Sequence, residues 1–250
     1  MGTLEGQSAL VTGGGRGIGE AIARRLAREG ARVTVTGRTR EELDAVASAV
    51  GGHCLVADLA DRDSVLALAR DLGAVDVLVN NAGVAESAPL ADTTDALWDR
   101  ALAVNVTACF VLCRALVPGM VARGRGRVVN VASNAGLTGY AYTSAYCASK
   151  HALVGLTRAL ALETARSGVT INAVCPGWVN TRMTDEAVAR IARTTGRDEA
   201  SARRALEAMS PQRRLLEPEE VAEAVAYLCH PDARGVHGQA LCLDGGQVLA

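Results

Sequence analysis

The stretch Ser8-Ala-Leu-Val-Thr-Gly-Gly-Gly-Arg-Gly-Ile-Gly19 joins a short apolar run to a glycine-rich turn, and a segment of helical composition begins near Gly17. Glycines let the backbone turn tightly and approach a ligand closely. A helix that begins at such a turn offers free N–H groups and the positive end of its dipole to an anion. The spacing G-x-x-x-G-x-G in this context predicts a diphosphate-binding turn between a strand and a helix.

The rest of the chain repeats this order of strand and helix. The predicted strands are residues 8–12, 32–36, 53–57, 75–80, 127–132, 170–174 and 239–243. The predicted helices are residues 17–29, 41–50, 62–72, 94–121, 144–166 and 219–228. Such alternation is typical of right-handed βαβ units. We predict an α/β protein, a single-domain Rossmann fold over residues 1–250 with a doubly wound, seven-stranded parallel sheet and helices on both faces.

The composition argues against several classes of partner. The formal net charge is −1 without a basic stripe, so nucleic acid is not expected to bind. Seven cysteines without C-x-x-C spacing suit a reducing compartment, and Cys109 and Cys113 are expected to pack in the core rather than bind a metal. We see no secretory signal, and the apolar runs are shorter than the roughly 20 residues that span a bilayer. The expected location is therefore cytoplasmic, with no membrane partner.

Residues 181–209 depart from the alternating pattern because they are helix-forming, charged and rich in arginine. Two interpretations stay open: a solvated helical hairpin, or a mobile lid over the substrate that follows a strand end. The arginines of this segment could meet a phosphopantetheine or CoA phosphate, or could simply form a solvated face. They are Arg190, Arg193, Arg197, Arg203 and Arg204.

The end of the second strand bears on the choice of dinucleotide. An acidic residue there would bind the adenosine ribose and repel a 2′-phosphate. The chain instead has Gly37-Arg38-Thr39 at this point. Arg38 and Arg16 are expected to bind a 2′-phosphate as charge-assisted donors, which favours NADP(H). The alternative is that both arginines are ordinary surface charges.

Tyr146 and Lys150 are spaced i,i+4 at the start of a predicted helix and so share one face. The unperturbed pKa of tyrosine is near 10, and a neighbouring ammonium favours the phenolate, so we expect Lys150 to lower the pKa of Tyr146. Ser133 follows the fifth predicted strand, where its hydroxyl can stabilise negative charge on a substrate oxygen. The combination predicts a general acid/base site.

Over essentially its whole length the sequence resembles the short-chain dehydrogenase/reductase superfamily. The resemblance rests on residues 12–19, Asn80-Asn-Ala-Gly83, the 13-residue interval from Ser133 to Tyr146, and Asp244-Gly-Gly246. It implies a catalytic set of Asn105, Ser133, Tyr146 and Lys150, in which Asn105 holds a water of a proton relay. It also implies that Asp58 meets the adenine ring and that the segment from Pro176 to Thr181 contacts the nicotinamide.

The residues and the resemblance together give a full set of expected contacts. The expected cofactor-binding residues are Gly13, Gly15, Arg16, Gly17, Ile18, Gly19, Gly37, Arg38, Thr39, Asp58, Leu59, Asn81, Ala82, Gly83, Tyr146, Lys150, Pro176, Gly177, Val179 and Thr181. The expected substrate-binding residues, beside Ser133 and Tyr146, are Ala135, Leu137, Tyr140, Tyr142, Trp178 and Met183.

The predicted activity is hydride transfer between NADP(H) and a ketone or secondary alcohol. The likeness to 3-oxoacyl-thioester reductases and polyketide ketoreductases favours reduction of a β-ketoacyl thioester or another hydrophobic ketone. One alternative is an NAD-dependent alcohol or 3-hydroxyacyl dehydrogenase that works oxidatively. Another is a catalytically silent regulator that only binds the cofactor. The resemblance further implies a homotetramer that uses the helices at 94–121 and 144–166.

Overall fold

The computed structural model describes residues 2–248, and it contains one seven-stranded sheet with helices on both faces. The strands are β1 Ser8–Thr12, β2 Arg32–Gly37, β3 His53–Val56, β4 Val77–Asn80, β5 Gly126–Val131, β6 Val169–Pro176 and β7 Ala240–Leu243. The α-helices are α1 Gly17–Arg28, α2 Arg40–Val50, α3 Arg62–Asp71, α4 Asp95–Leu102, α5 Ala108–Ala122, α6 Ser144–Thr164, α7 Arg182–Thr195, α8 Glu199–Glu207 and α9 Pro218–Cys229.

The strand order is β3-β2-β1-β4-β5-β6-β7, and every neighbouring pair is parallel. From β1 the chain winds outward to β3 and then returns to build the other half from β4 to β7. The connections therefore reverse between β1 and β4, and ligands bind at the carboxyl ends of the strands beside such a point. The predicted doubly wound parallel sheet is confirmed.

Each face of the sheet is covered by a separate apolar layer. One layer packs α1, α2 and α9 on the sheet and contains Ile22, Leu26 and Val225. The other packs α3 and α5 on the opposite face and contains Leu68, Leu112 and further side chains of those helices. Most of the side chains are Val, Leu and Ala, which lets the helices lie close to the strands.

The predicted helix over 94–121 is the one that differs most from expectation. A π-helical turn, Ala103–Thr107, separates α4 from α5, and Pro118 lies inside α5. Together they form one helical stretch, Asp95–Ala122, that is long and apolar enough to cross a membrane by length and composition alone. Of its most apolar window, 56% is buried in the fold, and core helices pass the same test. The sequence analysis considered only uninterrupted apolar runs. The helix continues through its charged residues and is therefore longer than those runs.

Residues 181–209 form the helical hairpin of α7 and α8, joined by a turn in which Gly196 takes a φ of 70°. The hairpin has a small apolar cluster of its own, with Val188, Ala202 and Leu206 buried. It connects to the main body through a parallel bridge between Val179 and Leu216. The helical prediction for this segment agrees with the structure.

Candidate active site

The turn between β1 and α1 is shaped by glycines that have no room for a side chain. Gly13 and Gly17 have φ of 63° and 55°, a region that L-residues avoid. A Cβ at Gly13 would lie 2.9 Å from the Cα of Ala82, and one at Gly19 would collide with the carbonyl oxygen of Gly13. The free backbone N–H groups at the start of α1 are thus left accessible, which fits the diphosphate of a dinucleotide.

The segment after β4 is fastened to this turn by hydrogen bonds. The Thr12 hydroxyl accepts from the backbone N–H groups of Asn81 and Ala82, both at 3.0 Å. The Asn81 amide donates in return to the carbonyl of Thr12 at 2.9 Å. The two chain segments on either side of the point where the connections reverse therefore form one rigid wall of the cleft.

Lys150, the only lysine of the chain, is buried beneath this wall. Its Nζ donates to the carbonyl oxygen of Val131 at 2.9 Å, and a Cβ at Gly83 would lie 3.5 Å from the same nitrogen. Burial lowers the pKa of Lys150 to about 8 because the charged ammonium loses its hydration. The amine is therefore held in the cleft floor, near the protonation midpoint at neutral to mildly alkaline pH.

Tyr146 lies in the first turn of α6, half-buried, with the Nζ of Lys150 5.7 Å from the centre of its ring. Burial raises the pKa of Tyr146, and the hydroxyl of Ser133 lowers it by a smaller amount. The Nζ of Lys150 is directed to the Val131 carbonyl, and Ser133 is the group that favours the phenolate here. That Lys150 lowers the pKa of Tyr146 stays a prediction.

Ser133 follows β5 and is buried at the carboxyl edge of the sheet. Its Oγ accepts from the N–H of Ala135 at 3.1 Å and lies 3.4 Å from the carbonyl oxygen of Pro176. These contacts hold the hydroxyl between the ends of β5 and β6, on the side where it meets Tyr146. The structure therefore brings together the serine, the tyrosine and the lysine that the sequence analysis selected.

Asn105 lies in the π-helical turn, fully buried. Its amide Nδ2 donates to the Val84 carbonyl at 3.0 Å and to the Ser149 hydroxyl at 2.9 Å, while Oδ1 accepts from the Val84 N–H at 2.9 Å. The Ser149 hydroxyl in turn donates to the carbonyl of Tyr146 at 2.7 Å. Asn105 thus links the segment after β4 to the first turn of α6, and π-turns often occur at such functional positions.

At the end of the cleft where adenosine is expected to bind, Arg16 has a partner that the sequence analysis did not foresee. Its guanidinium donates to both oxygens of Glu42 in α2, at 3.0 and 3.2 Å, instead of standing free beside Arg38. Arg38 and Thr39 are exposed, and so is Asp58, whose carboxylate accepts from the N–H of Ala60. The cap of α3 is Asp61, three residues further on.

The remaining expected nicotinamide contacts lie around the start of α7. Pro176 ends β6, Val179 is buried, and Thr181 is the residue before the first turn of α7. A Cβ at Gly17 would lie 3.3 Å from the Cγ2 of Thr181, which brings the segment against the glycine turn. Ile18, Gly37 and Leu59 lie in or beside the strand ends of the same edge of the sheet.

The expected substrate-binding residues lie in three places: the floor of the cleft, the hairpin, and the loop before α6. Ala135 is buried, and Leu137 packs on the cluster around Leu153, so both are close to the floor. Trp178 packs against the apolar cluster of the hairpin, which gives it a structural role there, and Met183 is 43% exposed on α7. Tyr140 and Tyr142 belong to the loop between Ser133 and Tyr146. Burial raises the pKa of Tyr140 to about 12, so its hydroxyl stays protonated.

Residues 7–192 match the family model of the short chain dehydrogenases. The chain belongs to the short-chain dehydrogenase family. A crystal structure of an actinorhodin polyketide ketoreductase variant with NADPH superposes with a TM-score of 0.91 at 40% identity, covering 99% of each chain.

Curated relatives of this short-chain dehydrogenase cover its whole length. Nodulation protein G of a Rhizobium species is 40% identical over 98% of both sequences. D-beta-hydroxybutyrate dehydrogenase of Cupriavidus necator is 37% identical over 98% of this chain and 99% of its own length. The protein is thus an oxidoreductase of a family that uses a nicotinamide cofactor, with ketoreductases among its relatives.

Three residues that contact this site were not selected by the sequence analysis: Glu42, Asn134 and Ser149. A fourth, Asp244, was named there only as part of a motif. Ser149 and Asn134 are adjacent in sequence to Lys150 and Ser133, and that adjacency is a signal that could have found them. Glu42 and Asp244 lie far from their partners in the sequence, so only the fold brings them together.

Proposed function

We propose that this short-chain dehydrogenase reduces a ketone to a secondary alcohol with NADPH, and that its substrate is a β-ketoacyl thioester or another hydrophobic, polyketide-like ketone. The observation that carries the proposal is the meeting of Ser133, Tyr146 and Lys150 at one end of the cleft, next to a glycine turn that fits a diphosphate. A cofactor bound along that cleft would supply the hydride.

The chain's own residues have distinct parts in this proposal. The Tyr146 hydroxyl gives its proton to the carbonyl oxygen of the substrate, and the Ser133 hydroxyl donates a hydrogen bond to the same oxygen. Lys150 binds the ribose next to the nicotinamide and adds positive charge beside the phenol. Asn105 holds Tyr146 in place through Ser149 and keeps the path for proton return open between α4 and α6.

Support for NADP(H) over NAD(H) comes from the absence of an acid at the end of β2 and from two arginines near it, Arg16 and Arg38. The solved relative with NADPH adds to that support. The ion pair between Arg16 and Glu42 argues in the other direction, because it occupies the guanidinium. A relative that is a hydroxybutyrate dehydrogenase favours the oxidative, NAD-linked alternative.

The choice of cofactor can be measured before any substrate is known. Titration of the purified protein with NADPH and NADH, followed by cofactor fluorescence, should show tighter binding of NADPH. Equal or tighter binding of NADH would replace the proposal by the oxidative alternative. A screen of acetoacetyl thioesters, cyclic ketones and steroids for NADPH consumption then tests the substrate class.

Replacement of the phenol hydroxyl tests the chemistry itself. Tyr146→Phe should lower kcat at least about a thousandfold, since the general acid is removed, while the Kd for NADPH changes little. Tyr227→Phe, an exposed tyrosine of α9, is the matched control and should keep normal kcat. A Tyr146→Phe enzyme with most of its activity would refute the assignment.

We further propose that the protein is cytoplasmic and that it forms a homotetramer through α4, α5 and α6. The apolar side chains of Phe110 and Leu162 are exposed on these helices, the latter to 83%. Light scattering on the purified protein should give about four times the 25.8 kDa chain mass. Leu162→Glu should shift that mass downward if the helices form the contact.

A further inference from the structure

The carboxyl ends of β5, β6 and β7 meet at a buried carboxylate that belongs to Asp244. This side chain follows β7 and is 5% exposed. Its two oxygens accept from the backbone N–H groups of Gly246, Gln247 and Val248, at 3.0, 3.1 and 2.8 Å. A fourth donor comes from a different part of the chain, the Nδ2 of Asn134, at 3.3 Å. This last contact joins the C-terminal segment to the residue next to Ser133.

The acceptor character of Asp244 decides which way the Asn134 amide faces. A carboxylate only accepts hydrogen bonds, so the amide must present its nitrogen to it. The same nitrogen also donates to the side-chain oxygen of Gln247 at 3.2 Å. With its nitrogen held on that side, Asn134 presents Oδ1 to Ser133, whose Oγ lies 3.5 Å away. Ser133 therefore donates to Asn134, and Asn134 donates to Asp244.

Packing around these two side chains is tight enough to transmit a displacement. A Cβ at Gly177, just after β6, would lie 2.9 Å from the Cβ of Asp244 and 3.6 Å from the Nδ2 of Asn134. The Ser133 hydroxyl also touches the carbonyl of Pro176, on the same segment. A Cβ at Gly177 has too little room beside Asp244, so a displacement of Asp244 toward β6 must shift the segment at Gly177.

We propose that Asp244 is a positioning residue of the active site, which fixes the Asn134 amide so that its Oδ1 holds the Ser133 hydroxyl until that hydroxyl turns to donate to the substrate oxygen. The inference rests on the proposed role of Ser133 in catalysis. The simpler alternative is that Asp244 only closes its own C-terminal turn, since three of its four donors come from residues 246–248. The two alternatives differ in whether Asp244 and Asn134 are coupled in catalysis.

A double-mutant cycle between the two residues separates these alternatives. In Asn134→Asp two carboxylates face each other, and kcat for an acetoacetyl thioester should fall about a hundredfold, while Asp244→Asn should cost about tenfold. The double variant, with Asn134→Asp and Asp244→Asn together, restores one donor opposite one acceptor. Its kcat should return to within about tenfold of wild type instead of falling about a thousandfold as independent effects would.

Two further measurements distinguish positioning from mere stability. The Kd for NADPH should stay within about twofold of wild type in all three variants, because no glycine of the cofactor turn is altered. In the alcohol-oxidation direction the Asp244→Asn rate should rise with pH around a higher midpoint than wild type, because the displaced Ser133 hydroxyl then lowers the pKa of Tyr146 less. A purely structural role would lower the melting temperature and leave this midpoint unchanged.

Asp232→Asn is the matched control, since it removes one carboxylate near the C-terminus from a side chain that is 94% exposed. It should keep wild-type kcat and pH profile. Independent effects in the cycle, or an unchanged pH midpoint in Asp244→Asn, would overturn the positioning role. Failure of the proposed function has a different signature, because Tyr146→Phe would then be active or the wild type inactive on every ketone.

Discussion

The glycine turn at residues 13–19 and the hairpin of α7 and α8 touch each other at the carboxyl end of the sheet, yet they are built in opposite ways. In the turn, backbone lies against backbone, and Cβ atoms at Gly13 or Gly19 would overlap neighbouring atoms. The hairpin has side chains that reach into solvent and pair there, such as Arg203 with Asp185 at 2.9 Å. The two regions approach each other at Gly17, where an added Cβ would lie 3.3 Å from the Cγ2 of Thr181, the residue before α7.

Because of this difference, the two regions should tolerate amino-acid substitutions to different degrees. A turn without free volume accepts no side chain, so its sequence is dictated by how closely chain and ligand must approach. Each exposed ion pair of the hairpin contributes only about 0 to 1 kcal/mol, so its side chains can change at small cost. We infer that the cofactor end of the cleft is fixed by backbone sterics, and that the substrate end can be altered by single side chains.

The largest effect on cofactor binding should therefore come from one methyl group in the turn. In Gly19→Ala the added Cβ would overlap the Gly13 carbonyl oxygen and lie 2.6 Å from the Asn81 amide nitrogen. NADPH binding, followed by fluorescence, should weaken at least about a hundredfold, because the turn must open to relieve the contact. Gly139→Ala is the control, since nothing lies within 4 Å of its Cβ. Normal NADPH affinity in a folded Gly19→Ala protein would contradict the steric account.

Lys150 offers the next test, because it is buried in the same wall and its pKa is depressed from 10.5 to about 8. Below pH 8 the folded and unfolded chains both carry the charge, and the folded one bears the full cost of burying it. Between about pH 8 and 10.5 only the unfolded chain holds the proton, so the free energy of unfolding should rise with pH. Lys150→Met should remove this rise and stabilise the protein at pH 7 by about 1 to 3 kcal/mol while it abolishes turnover.

Because the chain has no other lysine, this titration can be observed directly. Selective labelling of lysine with ¹³C at Cε should give one side-chain NMR signal, with a midpoint near pH 8. A midpoint near 10.5 would show that solvent reaches the amine and that the burial argument is wrong. Denaturant unfolding of wild type and Lys150→Met at pH 7 and 9.5 then checks the sign of the stability change.

The sheet could be predicted from the sequence because each parallel strand is a compact apolar run with a breaker on either side. The strand Ser8–Thr12 has its predicted bounds, and β2 to β7 differ from theirs by a few residues at their ends. The π-turn at Ala103–Thr107 could not be predicted in this way. Its residues have ordinary helical composition, and the partners of Asn105, Val84 and Ser149, lie far from it in the sequence.

The candidate site was predictable wherever function and neighbouring sequence coincide, as at Ser133 and in the first turn of α6. It was not predictable where a charged side chain pairs with a residue that is far away in the sequence. The pairing of Arg16 with Glu42 and of Asn134 with Asp244 depends on how α2 and β7 are placed. Trp178, one of the expected substrate-binding residues, packs against the hairpin cluster, and that cluster forms only when α7 and α8 fold together.

A smaller effect is expected at Glu42, on the side of the glycine turn that faces α2. Its carboxylate holds Arg16 at 3.0 Å, so a 2′-phosphate must compete for the guanidinium. Glu42→Gln should strengthen NADPH binding about threefold and leave NADH binding unchanged, the range expected for a half-exposed ion pair. Glu41→Gln removes the same charge from the same helical turn and is the control. Equal changes for both cofactors, or for both variants, would show that Arg16 does not select the phosphate.

The smallest expected effect concerns Met183, 43% exposed on the first turn of α7. If the hairpin covers the substrate, Met183→Ala should raise KM for a long-chain β-ketoacyl thioester about twofold, since part of an apolar contact is lost. KM for an acetoacetyl thioester and the Kd for NADPH should not change, because neither reaches beyond the cleft floor. Met209→Ala alters a comparably exposed methionine beyond the end of α8 and should leave every constant unchanged. If Met183→Ala matches that control on the long substrate, the hairpin is a solvated structural element and specificity lies in the loop of Tyr140 instead.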